Sequence, residues 1–147
     1  MLICDSREKK NAHILAYFDR HGIEYEVRKL DVGDYMYEGG TVSVDTKRSI
    51  DELASNMLNQ KDHARFWREV RRSKEMGIHL VVLIESNIYK AIPDLATWRS
   101  KYSKISGRAV MDAIYRCHIS YGVDFLFAPK VSTGRRIIEI LSCNQQK

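Results

Sequence analysis

Apolar positions along the chain switch repeatedly between two spacings. Short alternating or continuous apolar runs predict strands, segments with apolar residues three and four apart predict helices, and turn signals separate them. Leu2–Asp5 reads as a short buried strand. Asn11 stands at the N-cap of a helix carrying Ile14, Leu15 and Phe18, and Gly22 closes it where a left-handed residue is usual. Glu24–Leu30 alternates Tyr25 and Val27 with charged neighbours and predicts a second strand. Ser49 with Glu52 three residues on is a capping box, followed at helical spacing by Ile50, Leu53, Ala54, Met57 and Leu58. A further amphipathic helix spans about Lys61–Met76 with Phe66, Trp67 and Val70 inward. Leu80–Ile84 is a buried central strand, and helices Gly107–Tyr121 and Ser132–Leu141 flank a strand at Val123–Phe127. Strands interleaved with helices predict an α/β fold, a mixed or largely parallel central sheet flanked by helices on both faces.

The segment Gly33–Lys47 carries the chemistry. Gly39-Gly40 between two alternating runs predicts a two-residue hairpin turn, both glycines tolerating positive φ. Pairing Glu38 with Thr41 then sets Tyr37 against Val42, Met36 against Ser43, Tyr35 against Val44 and Asp34 against Asp45. Tyr35, Tyr37, Val42, Val44 and Thr46 share an apolar side, whereas Asp34, Met36, Glu38, Thr41, Ser43, Asp45 and Lys47 share a polar one. Two facing carboxylates, with Cβ atoms about 5 Å apart, repel unless a cation sits between them. Magnesium suits one or two carboxylates plus water and phosphate oxygens. Lys47 points to the same side, able to stabilise charge on phosphorus oxygens during phosphodiester hydrolysis. On that reading both Asp34→Asn and Asp45→Asn raise the metal-free melting temperature. The competing reading makes Asp34 and Asp45 solvated strand-end residues, one of them paired with Lys47 in a surface salt bridge.

Composition narrows the class. The chain has 147 residues, 44% of them hydrophobic and 29% charged, with only 8 Gly and 2 Pro. One globular domain over 1–147 is expected. No apolar run approaches the roughly 20 residues of a membrane span, and charged residues from Asp5 onward leave no room for a signal peptide, so a cytoplasmic setting is expected. Cys4, Cys117 and Cys143 are too few and too scattered for a disulfide framework or zinc site. The five histidines show no ligand spacing. A net charge of +5 suits a polyanionic partner without requiring one.

The order Gly33-Asp34, ten residues, Asp45-Thr46-Lys47, three residues, Asp51 resembles the signature of the XPF-type structure-specific endonucleases, and Asp5-Ser6-Arg7-Glu8 is similar to their N-terminal Asp-x-Arg-Glu. The resemblance runs from Leu2 to Phe127 and implies a restriction-endonuclease-like fold acting on branched or flapped DNA, with DNA repair and recombination as settings. It places Asp5, Glu8, Asp34 and Asp45 around a magnesium ion, with manganese as the alternative, and makes Lys47 the catalytic lysine. Asp51, Arg7 and Arg48 are implied as supporting residues. Asp45 stands where the family has Glu, and Thr46 where it has Arg, for which Arg48 is a possible substitute.

Two basic segments fit DNA. Lys61, Arg65, Arg68 and Arg72 form one helical stripe; Arg99, Lys101, Lys104 and Arg108, with Tyr102 among them, form a loop able to clamp a phosphate backbone while Tyr102 stacks on an unpaired base. Met111, Tyr115 and His118 add a second stripe to the Gly107 helix beside Val110, Ile114 and Cys117. With the resemblance, this predicts a homodimer through the two C-terminal helices. The alternatives are a catalytically inactive nuclease-fold module for DNA binding or partner docking, and a phosphodiesterase acting on RNA or nucleotides.

Overall fold

The computed structural model describes residues 1–60 and 63–145. Six strands form one mixed sheet in the order β2-β1-β3-β4-β5-β6: β1 Leu2–Asp5, β2 Tyr25–Arg28, β3 Tyr35–Tyr37, β4 Val42–Lys47, β5 His79–Glu85 and β6 Asp124–Ala128. β1 pairs parallel with β2 and antiparallel with β3; β3 pairs antiparallel with β4; β4, β5 and β6 run parallel. β5 lies between β4 and β6, which is why Leu80–Ile84 is apolar without alternation: both of its faces are covered.

Among the described residues five helices cover the sheet. α1 (Ala12–Arg20) and α5 (Thr133–Gln145) pack on one face, where Phe18, Tyr35, Val44, Leu83 and Ile137 form a core. α2 (Ile50–Leu58), α3 (His63–Glu75) and α4 (Gly107–Tyr121) pack on the other, around Leu53, Phe66, Val82, Ile114 and Phe125. The Ser49 hydroxyl accepts from the Glu52 amide, as the capping pattern predicts. Asn11 occupies the N-cap of α1 without capping it; its side chain donates instead to the Tyr35 hydroxyl. Gly107 opens α4 where the helix start touches the 3-10 turn Ile92–Thr97: a Cβ there would lie 1.6 Å from the Leu95 carbonyl oxygen.

The hairpin register is the expected one, Tyr35 against Val44 and Met36 against Ser43. Its turn is centred one residue early: the Gly40 amide donates to the Tyr37 carbonyl, and of the two glycines only Gly39 takes a positive φ. β2 is shorter than the alternation suggested, because as an edge strand it pairs only with the four residues of β1, and Val27 is exposed. Among the described residues no helix is long and apolar enough to cross a membrane. Burial pushes the Cys4 and Cys117 thiols up to about 12, which leaves them inert protonated core groups.

Candidate functional site

The ends of β1 and β4, the turn entering β3, and helices α2 and α3 enclose a cleft of about 720 Å³. Asp34, Asp45 and Lys47 all line it. Asp34 lies just ahead of β3, its backbone fixed by donation to the Val44 carbonyl and by acceptance from the Asp5 amide, 2.8 and 2.7 Å. Asp45 and Lys47 are buried although they occupy the polar side of β4, because α2 and α3 cover that side. The solvated strand-end reading of Asp34 and Asp45 is therefore overturned for Asp45, whose pair with Lys47 is buried rather than on the surface, while Asp34 is half-buried.

Lys47 Nζ lies 3.1 Å from Asp45 Oδ2, donates to Asn56 Oδ1 at 2.5 Å and stands over the Phe66 ring at 5.6 Å. Burial pulls the Lys47 pKa down, but Asp45 and Asp34 outweigh it and hold the ammonium above its ordinary value. Among the described residues Asp34 forms no ion pair. Burial, then the charges of Asp45 and Glu8, push its pKa well above the usual carboxylate range, and hydrogen bonding to Asp45 adds to this. Its Oδ2 accepts from the Thr46 amide at 2.8 Å and the Thr46 hydroxyl at 3.2 Å. That hydroxyl also donates to Glu8 Oε2 at 2.6 Å, so Thr46 belongs to the polar site despite its place in the apolar register of β4.

The other predicted residues divide. Asp5 lines the cleft, but its two oxygens accept from Arg7 and from the Leu30 amide, which locks the β1 end to the chain leaving β2. Arg7 also donates to the Leu30 carbonyl, at 2.7 Å. Arg48 lies at the rim, paired with Glu52 and donating to the Lys9 carbonyl. Asp51 is turned toward the loop after the 3-10 turn, accepting from the Ser100 hydroxyl at 2.6 Å. Arg65, Arg68 and Arg72 wall the cleft, with Arg72 donating to the Asp31 carbonyl; Lys61 lies outside the described residues. Arg99, Lys101, Tyr102, Lys104 and Arg108 do not line the cleft. Their loop is closed by a bridge between Arg99 and Ser106 and presents Tyr102 at 84% exposure.

Two residues escaped the sequence reading. Asn56 holds Lys47, and Glu69 accepts from the Gly33 amide at 3.0 Å. Burial, then Asp45, push the Glu69 pKa up to about 7, against the pull of the Gly33 amide, Lys47 and Arg72. The available signal was a lone acid among Arg65, Arg68 and Arg72 on one helical stripe. Among the described residues no group of three or more His, Cys, Asp or Glu converges as a metal cluster. Acidic neighbours of Asp34 number two, Asp45 and Glu8, and the first of these is already paired with Lys47.

A family model described as the ERCC4 domain matches residues 4–139. No curated protein matches the chain. Among solved structures, XPF from Aeropyrum pernix is similar at a TM-score of 0.74 and 14% identity, covering 99% of this chain and 65% of that one. The same protein in complex with DNA gives the same TM-score and identity over 99% and 64%. The chain thus spans just under two thirds of these relatives, and its fold is the restriction-endonuclease-like one that the motifs implied.

Proposed function

Because the chain belongs to the ERCC4 domain family, we propose that its 147 residues form one nuclease domain, a metal-dependent endonuclease that hydrolyses phosphodiester bonds in branched or flapped DNA during repair or recombination. The observation that carries this reading is the convergence of buried Asp45 and Lys47 with half-buried Asp34 in a cleft walled by arginines. The donor set fits a magnesium or manganese ion. Ionised Asp34 is disfavoured by burial and by its acidic neighbours, and a cation beside the carboxylates relieves that cost. Asp34 and Asp45 are the ligands, sufficient for an ion that fills its remaining positions with water and phosphate oxygens. Glu8 and Asp5 stand behind them, each already holding a hydrogen-bond donor.

When bound, such an ion supplies the Lewis acidity that makes water nucleophilic near neutral pH. Lys47, kept protonated and aimed by Asn56, offers its ammonium to the charge that grows on the non-bridging phosphate oxygens. Arg65 and Arg68 hold the phosphodiester backbone at the cleft wall. Beyond it, Lys101, Lys104 and Arg108 attract a second stretch of backbone, and Tyr102 offers a stacking surface for an unpaired base.

A panel of labelled flap, splayed-arm and duplex DNAs, incubated with magnesium, manganese or chelator, tests the proposal. Ion-dependent cutting of the branched substrates is expected. Binding without cutting under either ion leaves the second reading, an inactive DNA-binding or docking module. The Thr46 hydroxyl favours that reading, since it occupies Glu8 and Asp34 where the family pattern has an arginine.

Replacing Arg65 and Arg68 together with alanine is expected to weaken DNA binding alike for all sequences and to flatten the log–log salt dependence by about two units, roughly one per lost phosphate contact. Affinity titrations at several salt concentrations check this.

The homodimer is part of the same proposal, in a narrower form. α4 and α5 lie on opposite faces of the sheet, and α5 turns Ile137, Ile140 and Leu141 inward. The accessible apolar surface is on α4, with Tyr115 at 42% and Ile119 at 80% exposure, one turn apart. Light scattering is expected to give a dimer at high micromolar concentration, converted to monomer by Ile119→Lys.

A further inference from the structure

We infer that Glu69 is a positioning residue that holds the Gly33–Asp34 turn in place, so that α3 sets the aim of Asp34; the inference rests on the endonuclease reading. The turn cannot be held by its own side chains. Gly33 is buried with φ at +74°, and a Cβ there would lie 2.0 Å from Ser43 Oγ. Position 33 must therefore be glycine, and its amide needs an acceptor supplied from elsewhere, because a buried unpaired N–H destabilises the fold.

Glu69 supplies that acceptor across 36 residues of sequence, Oε1 to the Gly33 amide at 3.0 Å. One turn further along α3, Arg72 donates to the Asp31 carbonyl at 2.8 Å. The helix thus grips the segment 31–33 at a carbonyl and at an N–H two residues apart. Ser43 holds the intervening Val32 carbonyl from the sheet side, at 2.7 Å. Asp34 follows at once, its amide on Val44 and its carbonyl on Asp5. Gly33 has no side chain and a wide choice of φ, so loss of the grip on its amide leaves the Val32–Gly33 peptide, which leads into Asp34, held by the Ser43 hydroxyl at its carbonyl and free to tilt at its N–H. A carboxylate is a strong acceptor for such an amide, and Lys47 and Arg72 offset part of the cost of placing it near Asp45.

The test compares Glu69→Ala with Glu69→Gln, which keeps an acceptor oxygen without the charge. In Glu69→Ala, exchange of the Gly33 amide is expected to quicken by about tenfold or more while Val82 and Leu83 in β5 stay protected. Cleavage should lose about tenfold or more in kcat with KM for DNA within about twofold of the starting value. Glu69→Gln restores both readings to within about threefold. If the alanine variant does not fold, Glu69→Met, which fills the space without an acceptor, takes its place. An unchanged Gly33 amide in the acceptor-free variant, or a glutamine variant as damaged as alanine, overturns the inference. A wild-type protein that cuts no DNA overturns the endonuclease reading instead, and the exchange comparison still decides the grip.

Discussion

Lys47→Ala is expected to lower cleavage by about 100-fold or more while DNA affinity changes little, the loss falling on transition-state stabilisation alone. The geometry argues for the split. Lys47 is buried in the cleft, pinned by Asp45 and Asn56 and standing over Phe66, whereas Arg65 and Arg68, the proposed backbone contacts, line its wall. A bound duplex meets the arginines first, and the ammonium matters when charge gathers at one phosphorus. The substitution also removes the only cation paired with Asp45 among the contacts described for it. Breaking one side of a buried ion pair costs about 3–5 kcal/mol, so a lower melting temperature is expected alongside the kinetic loss. Magnesium should recover part of it. Single-turnover cleavage and equilibrium binding on the same flap substrate decide the matter: equal losses in binding and turnover would make Lys47 a docking residue.

The two aspartates are expected to respond with opposite signs when replaced by asparagine in metal-free protein. The simple expectation of two facing, repelling carboxylates made both substitutions stabilising; the ion pair of Asp45 with Lys47 reverses it for one. Asp34→Asn should raise the melting temperature at neutral pH, by about 2–4 °C for each kcal/mol relieved. Asparagine can still accept from the Thr46 amide. The pH dependence carries the sign. The folded pKa of Asp34 lies above the ordinary value of 3.8, chiefly through burial. Its contribution to stability is therefore fully present below 3.8 and is lost as pH rises through the folded value. The advantage of Asp34→Asn should accordingly be large near pH 7 and vanish in acid. Asp45→Asn strands the Lys47 ammonium in the floor of the cleft and should lower the melting temperature throughout. Wild type should gain stability with the logarithm of magnesium concentration above the dissociation constant, about 2.7 kcal/mol at 100 times that constant. Neither variant should show the gain. Calorimetry with chelator and then with millimolar magnesium checks all of this; a wild type indifferent to both ions would sink the metal site.

Much of this fold is written in local pattern. The capping serine of α2, the span of α4 and the apolar run of β5 appear where periodicity and turn chemistry put them. The reason is that each depends on neighbours within a few residues, or on burial from both sides, which leaves a composition of its own. The hairpin register was legible too, because side-chain alternation specifies one pairing even though the turn is centred one residue early.

The chain's own order of residues likewise determined that Asp34, Asp45 and Lys47 share one side of a hairpin. Whether that side faced water or a cleft was decided only by α2 and α3 folding over it, which turns a surface ion pair into a buried one. Tertiary structure alone brought Thr46 to Glu8, Asp5 to Leu30, Asn56 to Lys47 and Glu69 to Gly33. Two of these eight residues, Asn56 and Glu69, occupy helices whose local periodicity is satisfied whatever polar group points inward. A hydrogen bond across 36 residues leaves no trace in spacing, because it is made by the packing angle of a helix on a sheet rather than by the repeat of either. Pattern therefore specified the elements and the acidic hairpin, and the approach of α3 to the β3 turn specified the site.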